Sequence, residues 1–399
     1  MKAAMIKHLI SSTHQELQED IIPFWLNHSP DHTNGGFYGR IHNNLDIDHT
    51  ADKGLVLNAR ILWSFAAVYN LNSDPRCLGM ADRAYRYLLD RFWDKKYSGT
   101  HWLLNYKGEP LNSEKKLYGQ AFTIYALAEY YLATHQVEAL GYAKNIFALI
   151  EAHDYDNQNR GYLQPSTSDW SLIEDVPPAS SDIDEKKSMN VHLHLMEAYS
   201  ALYRVWPDES LKKRIKELID LHLDIIINNQ SYHLIIFFDE AWKAKSKVVS
   251  YGHDIECSWL LCEAAEILGE KSVGVRVRAA AIKLVEAVIA EGLSKKFFIF
   301  HERNENGMLH QQTDWWQQAE SVVGMLNAWQ VTDKERYLDL AFKMWRVIEQ
   351  VFVDHKYGEW FYTIKADGQP DLSLYKVSEW KCPYHNVRTC LEIMKRLKQ

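Results

Sequence analysis

The chain has no basic tract, no long apolar run and no paired-cysteine spacing. Each absence excludes something. Nucleic acids are held by clustered Lys and Arg, and a net charge of −8 without such a cluster argues against that role. It also argues against binding to an anionic membrane surface. No apolar run reaches the roughly 18 residues that a bilayer span needs. The opening MKAAMIKHLISS has no apolar stretch long enough for a signal peptide. Cys77, Cys257, Cys262, Cys382 and Cys390 form an odd set with no CxxC spacing. They read as reduced thiols in a cytoplasmic protein, mostly buried as small hydrophobes. A phosphate-cradling glycine loop and a GxSxG elbow are both missing, which leaves nucleotide chemistry and a serine nucleophile without support.

Aromatic residues are abundant, at 13% of 399 residues. Part of that excess fills a core, and part suggests ring-stacking walls. Residues 58–71, 118–135, 189–206 and 319–332 have helical periodicity and almost no charge, as buried helices do. Residues 77–93, 209–227, 273–293 and 336–354 alternate with them and carry the charge expected of an outer layer. Short aromatic segments punctuate the helices. They begin at Gly35, Ser98, Arg160, Leu234, Phe297 and Gly358, spaced 63, 62, 74, 63 and 61 residues apart. Each suits a small β-hairpin or an extended loop. A period near 62 that holds two helices and a hairpin implies a repeat architecture. The expected fold is all-α: an (α/α)6 barrel of inner and outer helices with short hairpins in the loops, one domain over residues 1–399. An open helical solenoid is the alternative. Residues 174–187 form the best loop and read as part of an active site rather than a boundary.

The informative residues are polar ones on apolar helices, because a buried ionisable group is costly unless it is paired or lines a cavity. They are Arg60, Asn190, His192, His194, His253, Glu256, Glu320, His385 and Arg388, with Trp315, Trp316 and Trp380 nearby. Several lie near the start of an inner helix, which predicts one polar pocket at one end of the barrel. Arg60 alone could be a structural ion pair. His192 and His194 face different ways on a helix, so one is a packing histidine. They could also ligate a metal with Asp182 and Asp184, although no third ligand has recognisable spacing. His253 and Glu256 share a face, which fits a carboxylate orienting an imidazole, or a plain surface pair. Adjacent indoles cannot both point inward, so Trp315 or Trp316 should face a cavity or loop. Two histidines, an arginine and stacking tryptophans fit proton transfer at a carbon next to a carbonyl: one imidazole removes a proton and a hydrogen-bonding group holds the oxygen that gains charge. Aromatic walls would hold a sugar by its apolar faces.

GGFYG, KGLVLNARILWSFAAVY, KSMNVHLHLMEAY, YGHDIECSWL, DWWQQAE and WKCPYHNVR occur in this order and together resemble the cellobiose branch of the N-acylglucosamine 2-epimerase superfamily. The resemblance runs from residue 25 to 392. It implies an (α/α)6 barrel and reversible C2 epimerisation of the reducing-end glucose of β-1,4-linked disaccharides, cellobiose and lactose, to mannose. The route it implies is ring opening and a cis-enediolate, with no cofactor and no metal. By motif, His253 and His385 match the acid–base pair, Glu256 the partner of His253, and Arg60 and His194 the groups that bind O1 and O2. Trp316 and Trp380 match sugar-contacting aromatics; Tyr118, Asn190 and Asp182 fall at further contact positions. Cys382 stands where a small residue is expected and should not touch the chemistry. The expected partner is a disaccharide, with mannobiose a further candidate, and the chain is expected to be monomeric. Alternatives are a mannobiose 2-epimerase, a monosaccharide isomerase or epimerase on the same barrel, a glycoside hydrolase using Glu256 and Glu320, and a sugar-binding protein.

Overall fold

A computed structural model describes residues 2–164, 166–173 and 185–398. In chain order its helices are α1 Lys2–Gln15, α2 Ile22–His28, α3 Leu55–Asn72, α4 Pro75–Tyr87, α5 Leu117–Thr134, α6 Val137–His153, α7 Met189–Val205, α8 Glu209–Leu221, α9 Tyr251–Leu268, α10 Lys271–Ala287, α11 Trp315–Thr332, α12 Glu335–Val347 and α13 Tyr384–Leu397. Helices α3, α5, α7, α9, α11 and α13 pack in that order, and α13 returns to α3, so the ring is closed. Each inner helix has an outer companion: α4, α6, α8, α10 and α12, with α1 against α13. This is the (α/α)6 barrel, and the solenoid alternative falls. The burial follows from the sequence. Helix α3 is buried along nearly its whole length, whereas α8 buries only Leu211, Ile215, Leu218, Ile219 and Leu221. No described helix is long and apolar enough to cross a membrane.

The outer helices stop earlier than their periodicity predicts. Leu88–Phe92, His222–Ile226, Val288–Gly292 and Ile348–Phe352 are π-helical turns that extend α4, α8, α10 and α12. Trp93 N–H reaches back to Leu88 O at 2.9 Å, and Ile227 to His222 at 2.9 Å. The widened turn leads the chain into a tight loop built the same way in each repeat. Asp31, Asp94, Asp156, Asn228, Ser294 and Asp354 open it with side-chain caps on backbone N–H groups. A left-handed residue closes it at Gly35, Ser98, Arg160, Tyr232, Phe297 and Gly358, with φ between 57° and 79°.

The loops are fastened to the segments that precede the inner helices. Lys53 Nζ meets Asp31 at 2.8 Å, Lys115 meets Asp94 at 2.7 Å, Lys187 meets Asp156 at 2.8 Å and Lys376 meets Asp354 at 2.7 Å. These lysines are fully buried. In the other two repeats the acid is Asn228 or Ser294, and the position two residues before the inner helix is Val249 or Thr313. Both charges are replaced together, because a buried ion without its partner is strongly destabilising. Antiparallel pairs then tie neighbouring repeats: Lys53 with Leu104, Lys187 with Phe238, Val249 with Arg303, and Thr313 with Ile364. Val377 pairs with Ile41 and closes the ring between the two ends of the chain.

Candidate active site

The N-terminal ends of the six inner helices surround a cavity of about 450 Å³. Arg60 comes from α3, Tyr118 from α5, Asn190 and His194 from α7, His253 and Glu256 from α9, Trp315 and Trp316 from α11, and His385 from α13. Trp380 arrives on the loop before α13. Residues more than 300 positions apart therefore share one space, as the reading of polar groups on inner helices predicts. Asp182 and Asp184 lie outside the described residues.

Arg60 is buried, and its Nη2 donates to the Tyr118 hydroxyl at 2.9 Å. The guanidinium lies 4.2 Å from the centre of Phe122 and 4.7 Å from that of Tyr384. Its Nε has no hydrogen-bond partner among the described residues. The ion-pair reading of Arg60 fails, since the groups it meets are rings, a phenol and a thiol. Cys382 Sγ is 3.8 Å from Nη1, and this cysteine is not among the residues that line the cavity. Asn190 Oδ1 is also buried without a partner at the cavity wall.

The three histidines singled out at the cavity each spend Nδ1 on the protein. His194 donates to Glu197 Oε2 at 2.8 Å, and His385 donates to Glu320 Oε1 at 2.7 Å. His253 Nδ1 lies 2.7 Å from Ser250 Oγ. None of the three Nε2 atoms has a bond to another described residue, so these nitrogens are left for whatever fills the cavity. Burial, then the charges of His194 and His301, pushes His253 down to about 3. Burial, then Arg60 and Arg388, holds His385 well below the usual histidine range. His192 is the packing histidine: its Nδ1 donates to Ser188 O at 2.7 Å and its Nε2 accepts from Tyr162 N–H at 3.0 Å.

The expected pairing of His253 with Glu256 is corrected. Glu256 accepts from Arg388 Nη2 instead, and Ser250 takes its place beside His253. Sharing a helix face allows contact, but the buried guanidinium across the barrel is the stronger donor for a buried carboxylate. Burial and the neighbouring charge of Glu320 raise Glu256 to about 7 against the pull of Arg388. Glu197 falls to about 2: burial opposes this, and Arg388 with the His194 bond outweighs it. Sequence reading missed Glu197 and Ser250. Both stood at the spacing already used for His253 and Glu256, three residues from a cavity histidine. Glu256, Glu320 and His385 offer ligand atoms within 4.8 Å of one another. Arg388 already donates to both carboxylates, so a cation sits in that set.

Trp315 and Trp316 both line the cavity, in keeping with the expectation that at least one of them faces a cavity or loop. They are the first two residues of α11, and at a barrel mouth a rotation of about 100° keeps both over the opening. The Trp316 ring lies 4.8 Å from His253 and 5.7 Å from His385, centre to centre. Trp380 stands 5.8 Å from Tyr118 on the other side of the mouth.

Imidazoles, a guanidinium and indole walls meet at one end of an α/α barrel, and the enzyme is an isomerase of the epimerase class. The N-acylglucosamine 2-epimerase family model matches residues 36–388. The chain belongs to that family. It is 41% identical to the cellobiose 2-epimerase of Bacteroides fragilis over 95% of this chain and 97% of the relative. It is 37% identical to that of Dictyoglomus turgidum over 98% and 100%. The solved cellobiose 2-epimerase of Bacillus thermoamylovorans superposes with a TM-score of 0.93 at 36% identity, covering 98% of this chain and all of the other.

Proposed function

We propose that the protein reversibly inverts C2 of the reducing-end glucose of cellobiose and lactose, giving a reducing-end mannose. One observation carries the reading: His253 and His385 face one cavity with Nε2 unspent, and the Trp316 indole lies against both rings. The sugar opens to its aldehyde. One imidazole takes the proton from C2, and the electron pair of that bond moves toward O1 to form a cis-enediolate. Arg60 and His194 hold O1 and O2 as charge develops there. The other imidazole, carrying a proton, delivers it to the opposite face of C2. Each acid–base group is worth about 10²–10⁴-fold, and the charge on Arg60 acts in a buried setting where it counts for more than in water.

The disaccharide is favoured over a single hexose by the size and further lining of the cavity, about 450 Å³. Beside the histidines it is also lined by Ile236, Phe237, Val248 and His301, which gives a second ring surfaces to lie against. Hydrolysis is disfavoured because Glu256 and Glu320 both accept from Arg388 Nη2. Two carboxylates on one nitrogen cannot flank a scissile bond. The test is a substrate panel of cellobiose, lactose, mannobiose, mannose and glucose, with products separated by chromatography. Glucosyl-mannose from cellobiose, with no free monosaccharide, is the expected result. Conversion of mannose or glucose alone would move the reading to a monosaccharide isomerase, and released glucose would move it to a hydrolase.

A further inference from the structure

Beneath the cavity floor, Arg388 gathers three buried carboxylates. Its Nη1 donates to Glu197 and its Nη2 to Glu256 and Glu320, with Glu320 at 2.6 Å. The guanidinium carbon Cζ lies 4.3 Å from the centre of Tyr384 and 4.8 Å from that of Trp259. Arg388 does not line the cavity, so it meets no sugar. It does hold both carboxylates that orient cavity histidines: Glu197 for His194 and Glu320 for His385. His253 is outside this network, with a serine hydroxyl as its Nδ1 partner.

The two proton-transfer histidines are therefore supported differently. A carboxylate on Nδ1 fixes the tautomer and steadies the imidazolium that forms when Nε2 takes a proton. A hydroxyl fixes orientation but supplies no charge. We propose that Arg388 is a positioning residue for the proton transfers made by His385, which it governs through Glu320; its hold on His194 through Glu197 serves both directions alike. This rests on the two-histidine reading above. Without the guanidinium fork, Glu320 loses the donor that fixes its place, and His385 loses its aim. His253 and Ser250 are left as they were.

The asymmetry has a chemical consequence. Each epimer surrenders its C2 proton to a different histidine. When His385 is impaired, the epimer that is deprotonated by His253 still forms the enediolate. Its return through His253, after that imidazole has exchanged with solvent, puts deuterium at C2 of unconverted sugar. Inversion waits on His385.

The test runs Arg388→Lys, Glu320→Gln and Ser250→Ala in D2O, starting separately from cellobiose and from its mannose epimer. Proton NMR follows C2 deuteration of remaining substrate and formation of product. Arg388→Lys keeps a cation among the carboxylates and loses the fork; Glu320→Gln breaks the same link from the other side, taking its carboxylate charge away from both Arg388 and His385. For both, the ratio of substrate deuteration to inversion should rise on the order of tenfold or more, the low end of one acid–base group, from one epimer and not the other. For Glu320→Gln, KM should stay within about threefold while kcat falls, because the Glu197–His194 bond is untouched. Ser250→Ala should raise the ratio from the opposite epimer. A ratio unchanged from both epimers, with a uniform loss of rate, makes Arg388 a structural residue and overturns the proposal. A rise from both epimers overturns it too. Wild-type enzyme in the same tubes separates the two levels: if its product carries no deuterium at C2, the two-histidine reading fails before the variants are compared.

Discussion

His385 and Glu320 are joined Nδ1 to Oε1 at 2.7 Å, from the last and the next-to-last inner helices of the ring. The bond turns Nε2 of His385 to the cavity that His253 enters from α9. Replacing either histidine by alanine should cost about 10²-fold or more in kcat. Circular dichroism should show the fold intact, since both side chains meet a cavity rather than a packed core. A variant with near-native turnover would remove that histidine from the pair.

Arg60 is the cation closest to the reacting end of the sugar in this account. Arg60→Lys keeps the charge but not the fork that meets Tyr118 and lies against Phe122. The expected loss is about 10²–10³-fold in kcat, the range for one oxyanion donor. Steady-state kinetics with cellobiose would show it, and a change confined to KM would mean that Arg60 only binds.

The buried lysine staples predict a compensating pair. Lys187→Met leaves Asp156 charged and buried and should cost about 3–5 kcal/mol. Lys187→Val with Asp156→Asn copies the neutral pair that the chain itself uses at Val249 and Asn228, and should regain most of that loss. Thermal midpoints of the two variants decide it. A double variant no more stable than Lys187→Met would show that the charges matter for more than each other.

Asp154 gives stability a dependence on pH. Burial raises it to about 8 from an unfolded value of 3.8, and Ser166 donates to its Oδ1. Between those values the folded state binds one proton more than the unfolded state, so this contribution is complete below pH 3.8 and is lost as pH rises toward 8. The slope is about −1.4 kcal/mol per pH unit at most. Asp154→Asn removes it. Relative to wild type, the variant should gain stability between pH 5 and pH 8 by urea unfolding; a constant difference would show that Asp154 is ionised when folded.

His222 works in the opposite sense. Burial lowers it to about 4, and its Nδ1 donates to Leu218 O at 2.8 Å. The unfolded chain binds the extra proton between about pH 6.5 and 4, so stability falls as pH falls through that window. His222→Gln should flatten the acid side of the stability curve, and an unchanged slope would place the proton elsewhere.

Much of this was legible in the sequence, because burial and period are written in the order of residues. The charge-poor runs at 58–71 and 189–206 mark inner helices, and the 62-residue spacing marks the repeat. Arg60 and His194 stand out because a charge or imidazole on such a helix needs a cavity. Partnerships across the barrel were not legible. Glu256 and Glu320 reach Arg388 from 132 and 68 residues away, and spacing along one helix says nothing about that. The π-helical turns were hidden too. They change the bond pattern at the end of an amphipathic stripe without interrupting it, so 336–354 read as one helix although α12 ends at Val347. The staple lysines escaped because a lysine in a loop looks solvated, and only the fold shows Lys115 and Lys187 buried against their aspartates.

The central claim is that C2 loses its proton to one histidine and regains one from another. The most direct measurement is conversion of cellobiose by the wild-type enzyme in D2O, with C2 of the new mannose residue read by proton NMR. The account predicts that this position carries deuterium in essentially all of the product, because the delivered proton comes from an imidazole that exchanges with solvent. Product that keeps its original C2 hydrogen would contradict it.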